Sequence, residues 1–283
     1  MRAAGLILVL ALVGCDPPTE GEPVARVSID GENTRTVEAN PDAGAEREPY
    51  PEIASAKESA CRSVIFENTS LTHCVATPER HQISMRLARS NGEKYRNLSG
   101  LARAIGSSNV AFAMNGGMFE ADGEPVGYYV ERSERLVPLN TNDGPGNFHL
   151  KPNGVFYGTG EEWVVRSTES FLANVSDRPE FGTQSGPMLV IDGNLHPEIT
   201  RDGPSRLIRN GIGVDAEGKA HFVISNAPLS FGKLARFFRD ELETPNALYL
   251  DGNVSALWNP ATDRIDSGAP LGPLIVVSRR AAQ

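Results

Sequence analysis

Short apolar runs, each bounded by turn-forming residues, dominate the chain from about Cys61 onward. Most hold four or five residues rich in Val, Ile, Leu, Phe or Tyr, and Gly, Asn, Asp or Pro flank them, which is typical of β-strands. A hairpin turn is predicted at Asp215–Gly218, between two such runs. The predicted strands are Val110–Met114, Gly127–Val130, Gly154–Tyr157, Trp163–Arg166, Met188–Ile191, Ile212–Val214, His221–Ile224, Ala247–Leu250 and Leu274–Val277.

Two amphipathic helices interrupt this series of strands. Apolar residues recur at helical spacing in Leu98–Ile105 and in Phe231–Leu242, and Ser230 is a suitable N-cap for the second helix. Many strands with two or three helices predict an α+β domain, in which a few helices pack on a mixed β-sheet. Because no repeat and no second linker interrupts the pattern, we expect a single domain over residues 57–283.

The first fifteen residues predict export. The apolar run Leu6–Val13 follows Arg2 and is too short to span a membrane. It leads to Leu12–Cys15, which resembles the cleavage site of a lipoprotein signal peptide. We expect lipidation of Cys15 and anchoring in the bacterial cell envelope, on the periplasmic side of a membrane. The alternative is an ordinary signal peptide with a chance cysteine. Residues 16–56, rich in Pro, Glu, Gly and Ala, predict a flexible tether.

The chain has 3 cysteines, and lipidation of Cys15 leaves Cys61 and Cys74. In an oxidising compartment these two predict a disulfide, which would stabilise the fold by about 3 kcal/mol. A zinc site is the alternative, since His73 adjoins Cys74, but the spacing matches no zinc pattern. No metal and no cofactor is therefore predicted. The net charge of -9 argues against nucleic acid as a partner.

Two helix–strand units end in the same way. Strand Val110–Met114 leads to Asn115-Gly116-Gly117, and strand Ala247–Leu250 leads to Asp251-Gly252-Asn253. Ligands often bind beyond the carboxyl ends of strands, and a following glycine lets the backbone approach them. If the two strands run parallel in one sheet, Asn115 and Asp251 lie at the same edge of that sheet. Taken alone, Asn-Gly and Asp-Gly are more simply turn dipeptides.

Three further segments carry groups that suit an anion. Arginine is suited to a phosphodiester because its planar fork donates to two oxygens at once. Each group alone is more simply a turn residue or a solvated charge. The candidates are His149 and Lys151 in the polar loop Asp143–Gly154, Ser185 and Gly186 before a strand, and Arg206 and Arg209 before another.

Four segments together resemble the phosphodiester glycosidase family. They occur in the family's order, and the likeness extends from about Ile65 to Val277, most strongly to a bacterial branch. The chain departs from the family pattern at Asn210–Gly211, at Ser225–Asn226 and at Asn253. The four segments are Asn115–Phe119, Ser185–Gly193, Arg209–Asp215 and Ala247–Ser255.

The resemblance implies hydrolysis of a sugar-1-phosphodiester, with a glycan or sugar phosphate as substrate. We expect Asp251 to act as base or nucleophile, Arg209 to clamp the phosphate, and Glu120 to be the second carboxylate. The alternative is a glycan-binding or envelope-assembly lipoprotein that has this fold and no activity. The other expected site residues, which position or bind substrate, are Asn115, Gly116, Gly117, His149, Lys151, Ser185, Gly186, Arg206, Gly252, Asn253 and Ser255.

Overall fold

The computed structural model describes residues 58–160, 162–175 and 179–281. They belong to one unit of the chain, Ile53–Gln283. Within the described ranges the chain forms seventeen strands. These are β1 (Cys61–Phe66), β2 (Thr69–Ala76), β3 (His81–Arg86), β4 (Val110–Asn115), β5 (Tyr129–Glu131), β6 (Glu134–Val137), β7 (Gly154–Thr159), β8 (Glu162–Ser167), β9 (Phe181–Ser185), β10 (Met188–Ile191), β11 (Asn194–Leu195), β12 (Asn210–Val214), β13 (Ala220–Ser225), β14 (Asn246–Tyr249), β15 (Leu257–Asn259), β16 (Arg264–Ile265) and β17 (Leu274–Arg279).

Three α-helices accompany the strands: α1 (Leu98–Ile105), α2 (Thr168–Asn174) and α3 (Phe231–Arg236). Helix α1 has the predicted bounds. Helix α3 begins where predicted, and the Ser230 side chain accepts a hydrogen bond from Lys233 N as its N-cap. The chain then continues as a π-helical turn, Phe237–Glu241, so the predicted second helix is only partly α-helical.

The strands form three sheets rather than one mixed sheet, and every pairing between the described strands is antiparallel. The α+β prediction therefore holds only coarsely, because strands dominate the fold. Sheet 1 has the order β1-β2-β13-β12-β14-β10-β11, sheet 2 the order β16-β15-β4-β17-β3, and sheet 3 the order β6-β5-β9-β7-β8.

The three sheets enclose one core, and each has a helix on its outer face. Phe222 of sheet 1, Phe112 of sheet 2 and Phe156 of sheet 3 belong to the same buried cluster. Outside it, α3 covers sheet 1, α1 covers sheet 2, and Phe171 of α2 packs on sheet 3. Strands buried on both faces have continuous apolar sequences, as strands of parallel sheets do. This explains why the sequence suggested a mixed sheet.

The predicted disulfide is present, and it joins Cys61 to Cys74. The two residues lie directly opposite each other on β1 and β2. Their Cα atoms are 3.9 Å apart, closer than the usual range of about 4.4–6.8 Å. The bond therefore ties an edge strand to its neighbour.

The predicted signal peptide, Cys15 and the predicted tether lie outside the described residues. Within the part of the chain that the structure describes, no helix is both long enough and apolar enough to cross a membrane.

Candidate active site

Asn115 and Asp251 meet where sheets 1 and 2 adjoin. Asn115 ends β4 of sheet 2, and Asp251 follows β14 of sheet 1, so the prediction that the two strands lie parallel in one sheet is wrong. The residues are nevertheless in contact: Asn115 Nδ2 donates to Asp251 O over 2.9 Å, and Asp251 N donates to Gly116 O over 3.3 Å. The two residues meet because sheets 1 and 2 adjoin here, and not because their strands end at the same edge of one sheet.

The Asn115 side chain organises the turn that follows Asp251. It is buried, and its Oδ1 accepts from Ala256 N and from Asn210 Nδ2, each over 2.9 Å. Ser255 Oγ in turn donates to Asn210 Oδ1 over 3.1 Å. Asn210, where the chain departs from the family pattern, thus joins the network. These bonds fix both ends of the Asp251–Ala256 turn.

Asp251 has the properties of a catalytic carboxyl. It is 8% exposed, and Oδ1 accepts from Asn253 N over 3.2 Å, capping the short helical turn Gly252–Val254. Burial raises the pKa of the Asp251 carboxyl, and the Asn253 N–H partly opposes this. Among the described residues it has no cationic partner within salt-bridge distance. A buried carboxyl with a raised pKa is suited to proton transfer near neutral pH.

Arg209 lies beside Asp251 in sheet 1 but is fully buried. Strand β12 runs antiparallel to β14, and Leu250 N donates to Asn210 O. The Arg209 guanidinium stacks on the ring of Phe231, with its carbon 3.6 Å from the ring centroid. A direct contact with a substrate phosphate would therefore need a rearrangement, and the clamp role stays a prediction.

Each nitrogen of the Arg209 guanidinium donates a hydrogen bond. Nε donates to Leu229 O over 3.1 Å, Nη1 to the Tyr249 hydroxyl over 3.0 Å, and Nη2 to Ser205 Oγ over 2.9 Å. Among the residues in the described ranges, no carboxylate forms an ion pair with it. Tyr249 was not identified from the sequence, although it lies inside the family segment two residues before Asp251.

A cleft of about 300 Å³ opens beside the turn after Asp251. Gly252, Asn253 and Ser255 line it, and their predicted role in substrate binding remains a prediction. Its other walls come from Leu207–Ile208, from the start of α1 and from the segment Asp266–Leu271. The described residues that line it include the carboxylate of Asp266 and no Arg, Lys or His. The cleft therefore offers amide, hydroxyl, aliphatic and carboxylate groups, which suit a neutral sugar better than a phosphate.

Three predicted residues are exposed, and two of them form ion pairs. Arg206 pairs with Asp202 over 2.8 Å, and Lys151 pairs with Asp143 over 2.6 Å. Glu120 is exposed in the turn between Phe119 and Pro125. No described contact joins any of the three to Asp251, and their predicted roles remain predictions.

The remaining predicted residues are not among those that line the cleft. Gly117 N donates to Thr183 Oγ1 over 3.1 Å, and a side chain at Gly117 would overlap the strand that carries Ser185. Ser185 is fully buried, and its hydroxyl has no hydrogen-bond partner among the described residues. Gly186 packs against the carbonyl of Phe148. His149, beside it, has Nδ1 3.1 Å from the carbonyl of Asn142.

Across the described residues, no group of three or more His, Cys, Asp or Glu side chains is arranged to hold a metal ion.

A buried carboxyl on a turn beside a polar cleft defines a candidate hydrolase site. Residues 108–277 match the phosphodiester glycosidase family, and the chain belongs to that family. It is 35% identical over 182 residues to the Escherichia coli (strain K12) protein titled "Uncharacterized protein YigE", covering 64% of this chain and 71% of that protein.

Two solved structures share the fold. One is the catalytic domain of zebrafish N-acetylglucosamine-1-phosphodiester alpha-N-acetylglucosaminidase, with a TM-score of 0.54, 12% identity and coverage of 78% of this chain and 82% of that one. The other is a hypothetical protein from Synechocystis, with a TM-score of 0.50 and 16% identity. The match to the latter covers 78% of this chain and 61% of that one. At these identities the likeness extends to the fold alone.

Proposed function

We propose that the protein hydrolyses a sugar-1-phosphodiester, with Asp251 as the reacting carboxylate. As a base, Asp251 takes a proton from water while the water oxygen bonds to the anomeric carbon. The bond from that carbon to the phosphate oxygen breaks, and a phosphate monoester leaves. As a nucleophile, Asp251 would instead bond to the anomeric carbon as the bond to the phosphate oxygen breaks and the phosphate monoester leaves, and water would then cleave the resulting glycosyl ester, restoring the Asp251 carboxyl and releasing the sugar. Family membership and the position of Asp251 beside the cleft support the proposal.

The observation that carries the proposal is the isolation of the Asp251 carboxyl. It is buried, held by Asn253 N and free of any cationic partner within salt-bridge distance among the described side chains. Its pKa is raised by that burial. Most glycosidases use two carboxylates, one of which protonates a poor leaving group. A phosphate monoester leaves without that help, so one carboxylate with this environment is sufficient.

Turnover of model substrates tests the proposal. The substrates are methyl diesters of glucose-1-phosphate and N-acetylglucosamine-1-phosphate, followed by phosphorus and proton NMR, with a glucose-6-phosphate methyl diester as the negative control. We expect Asp251→Asn to lose at least about 100-fold in kcat, because the amide cannot take a proton. Asp263→Asn, at an exposed position with a left-handed backbone, is the matched control and should be unchanged. Full activity in Asp251→Asn would refute the assignment.

The anomeric configuration of the sugar that is first released distinguishes the two possible roles of Asp251. A retained configuration supports the nucleophile, and an inverted configuration supports the base.

The alternative is binding of a neutral glycan without turnover. The observation that favours it is the lack of any cationic residue among the described residues that line the cleft, together with the burial of Arg209. Saturable binding of an uncharged oligosaccharide by a wild-type protein that leaves every diester intact would support this alternative.

We also propose that the protein acts in the bacterial cell envelope, held by a lipid on Cys15. The order of Arg2, the apolar run Leu6–Val13 and Cys15 supports this placement.

A further inference from the structure

The Tyr249 hydroxyl occupies a buried position between Arg209 and the turn that carries Asp251. The residue is 1% exposed, and its hydroxyl accepts from Arg209 Nη1 over 3.0 Å. Burial raises the pKa of the Tyr249 hydroxyl, and the nearby backbone N–H of Gly252 lowers it. The hydroxyl thus lies between the Arg209 side chain, which donates to it, and the backbone of the residue after Asp251.

The fit between Tyr249 and Gly252 leaves no free space. A methyl group at Gly252 would overlap the Tyr249 hydroxyl and ring. The hydroxyl therefore limits how closely the turn at Gly252 can approach sheet 1. Asp251 directly precedes Gly252 in this turn. Besides burial, Arg209 lowers the pKa of Tyr249 and Asp251 raises it, so both charged groups act on the Tyr249 hydroxyl.

Arg209 is itself held rigidly. Ser205 and Leu229 accept from its other nitrogens, and the Phe231 ring covers one face of the guanidinium. Burial of an arginine without a carboxylate partner costs free energy, so other contacts must offset that cost. Its donation to the Tyr249 hydroxyl provides that contact.

We propose that Tyr249 is a positioning residue, through which the buried Arg209 sets the place of the Asp251 carboxyl. The proposal rests on the proposed function. It gives Arg209 a role that requires no contact with substrate. It also assigns a role to Tyr249, which the sequence motifs did not single out.

Kinetics of Tyr249→Phe test the proposal, because this variant keeps the ring and removes only the hydroxyl. We expect kcat to fall on the order of 10–100-fold through misplacement of Asp251, with KM changed little. Tyr157→Phe is the matched control: that tyrosine is also buried and also bonded to an arginine, Arg166, but it belongs to the outer cluster of sheet 3. It should keep full activity.

A double-variant comparison separates positioning from direct phosphate contact. If Arg209 acts through Tyr249, then Arg209→Lys and Tyr249→Phe each lower kcat, and the double variant loses little more than either one. If Arg209 contacts phosphate, Arg209→Lys raises KM and Tyr249→Phe has no effect, which overturns the proposal.

Titration of Asp251 by carbon-13 NMR provides a readout that needs no turnover. In Tyr249→Phe the loosened turn admits water, and the pKa of Asp251 should fall back toward its ordinary value. An unchanged titration in a folded Tyr249→Phe protein would overturn the inference even if the enzyme is active. Absence of turnover by the wild type would contradict the proposed function, and the titration would still decide this inference.

Discussion

Nε2 of His73 lies 3.0 Å from Nδ1 of His221, and Nε2 of His221 lies 2.9 Å from Oδ2 of Asp215. This buried chain crosses sheet 1 from β2 to the turn after β12. The Asp215 carboxylate can only accept, so His221 Nε2 donates to it, and where His221 is neutral its Nδ1 accepts from His73 Nε2. Nδ1 of His73 has no partner among the described residues. A proton on that nitrogen would be buried without an acceptor, which favours the neutral form of His73.

The His73 environment predicts sensitivity to acid. Burial, then His221 and Arg62, lower the pKa of His73 to about 3. Since the folded pKa lies below the unfolded value of 6.5, the contribution of His73 is complete above pH 6.5 and is lost as the pH falls toward 3. The loss can reach about 4–5 kcal/mol. We expect His73→Gln, which does not titrate, to lose less stability between pH 7 and pH 4 in urea unfolding.

His149→Gln, at a half-exposed histidine, is the control for that experiment and should keep the wild-type slope. Equal pH slopes for wild type and His73→Gln would show that His73 does not govern acid unfolding.

We expect the buried Asp251 carboxylate, which the proposed reaction needs, to lower the stability of the folded protein. Because burial raises its pKa in the folded state, its contribution to stability is complete below the unfolded pKa of 3.8 and is lost as the pH rises through the folded pKa. Once the pH exceeds the folded pKa, the buried ionised carboxyl therefore destabilises the fold. We expect Asp251→Asn to have a higher Tm than the wild type at pH 7, with the gain shrinking toward pH 4, measured by calorimetry. A lower Tm at pH 7 would contradict this.

The Cys61–Cys74 bond should stabilise the domain measurably. The two residues are 13 positions apart, and closing a loop of this size contributes about 3 kcal/mol. For a domain of this size, replacing both by serine should lower Tm on the order of 10 °C. The wild type in a reducing agent should show a similar loss, whereas the double variant should not respond to the reductant. Two free thiols in the folded, unreduced protein would disprove the bond.

The Cys15 prediction is tested in a bacterial host. We expect mass spectrometry to find an acylated Cys15 as the first residue and the protein to sediment with membranes. Cys15→Ser should remove the lipid and release the protein from the membrane fraction, while Cys61→Ser should leave it there. An exported protein that retains Met1 would be incompatible with lipidation.

The fit between Gly252 and Tyr249 predicts partial rescue. Gly252→Ala should destabilise the fold, because the added methyl group overlaps the Tyr249 hydroxyl. Adding Tyr249→Phe removes the overlapping oxygen and should recover part of the lost Tm. If the two losses instead add fully, the hydroxyl does not limit the approach of the turn.

Local sequence patterns identified the elements that depend on local interactions. The spacing of apolar residues in Leu98–Ile105 gave the correct bounds of α1, because its Asn97 cap and apolar face are short-range features. The contact of Asn115 with Asp251 was anticipated, but for the wrong reason, since it depends on how two sheets adjoin. Contacts between residues far apart in the chain decide which strands pair. A single sequence does not reveal those contacts.

The burial of Arg209 could not be read from its neighbours either. Arg206 and Arg209 both precede the same strand, yet one is exposed and the other is enclosed. The difference comes from Phe231 and Leu229, which reach Arg209 from the segment leading into α3. The tertiary partners of an arginine, rather than its local sequence, determine whether it can meet a ligand.

The placement of β17 in the middle of sheet 2 has a consequence for how the molecule is made. This last strand lies between β3 and β4, two of the earliest strands, so Val277 pairs with Ile83 on one side and with Phe112 on the other. The two early strands do not pair with each other, and sheet 2 cannot assemble on a ribosome until almost the whole chain has emerged. Pairing over such separations is slow, because the entropy of closing a long loop is lost before any contact repays it. The edges of β3 and β4 that face β17 therefore stay unpaired until Leu274–Arg279 has been made.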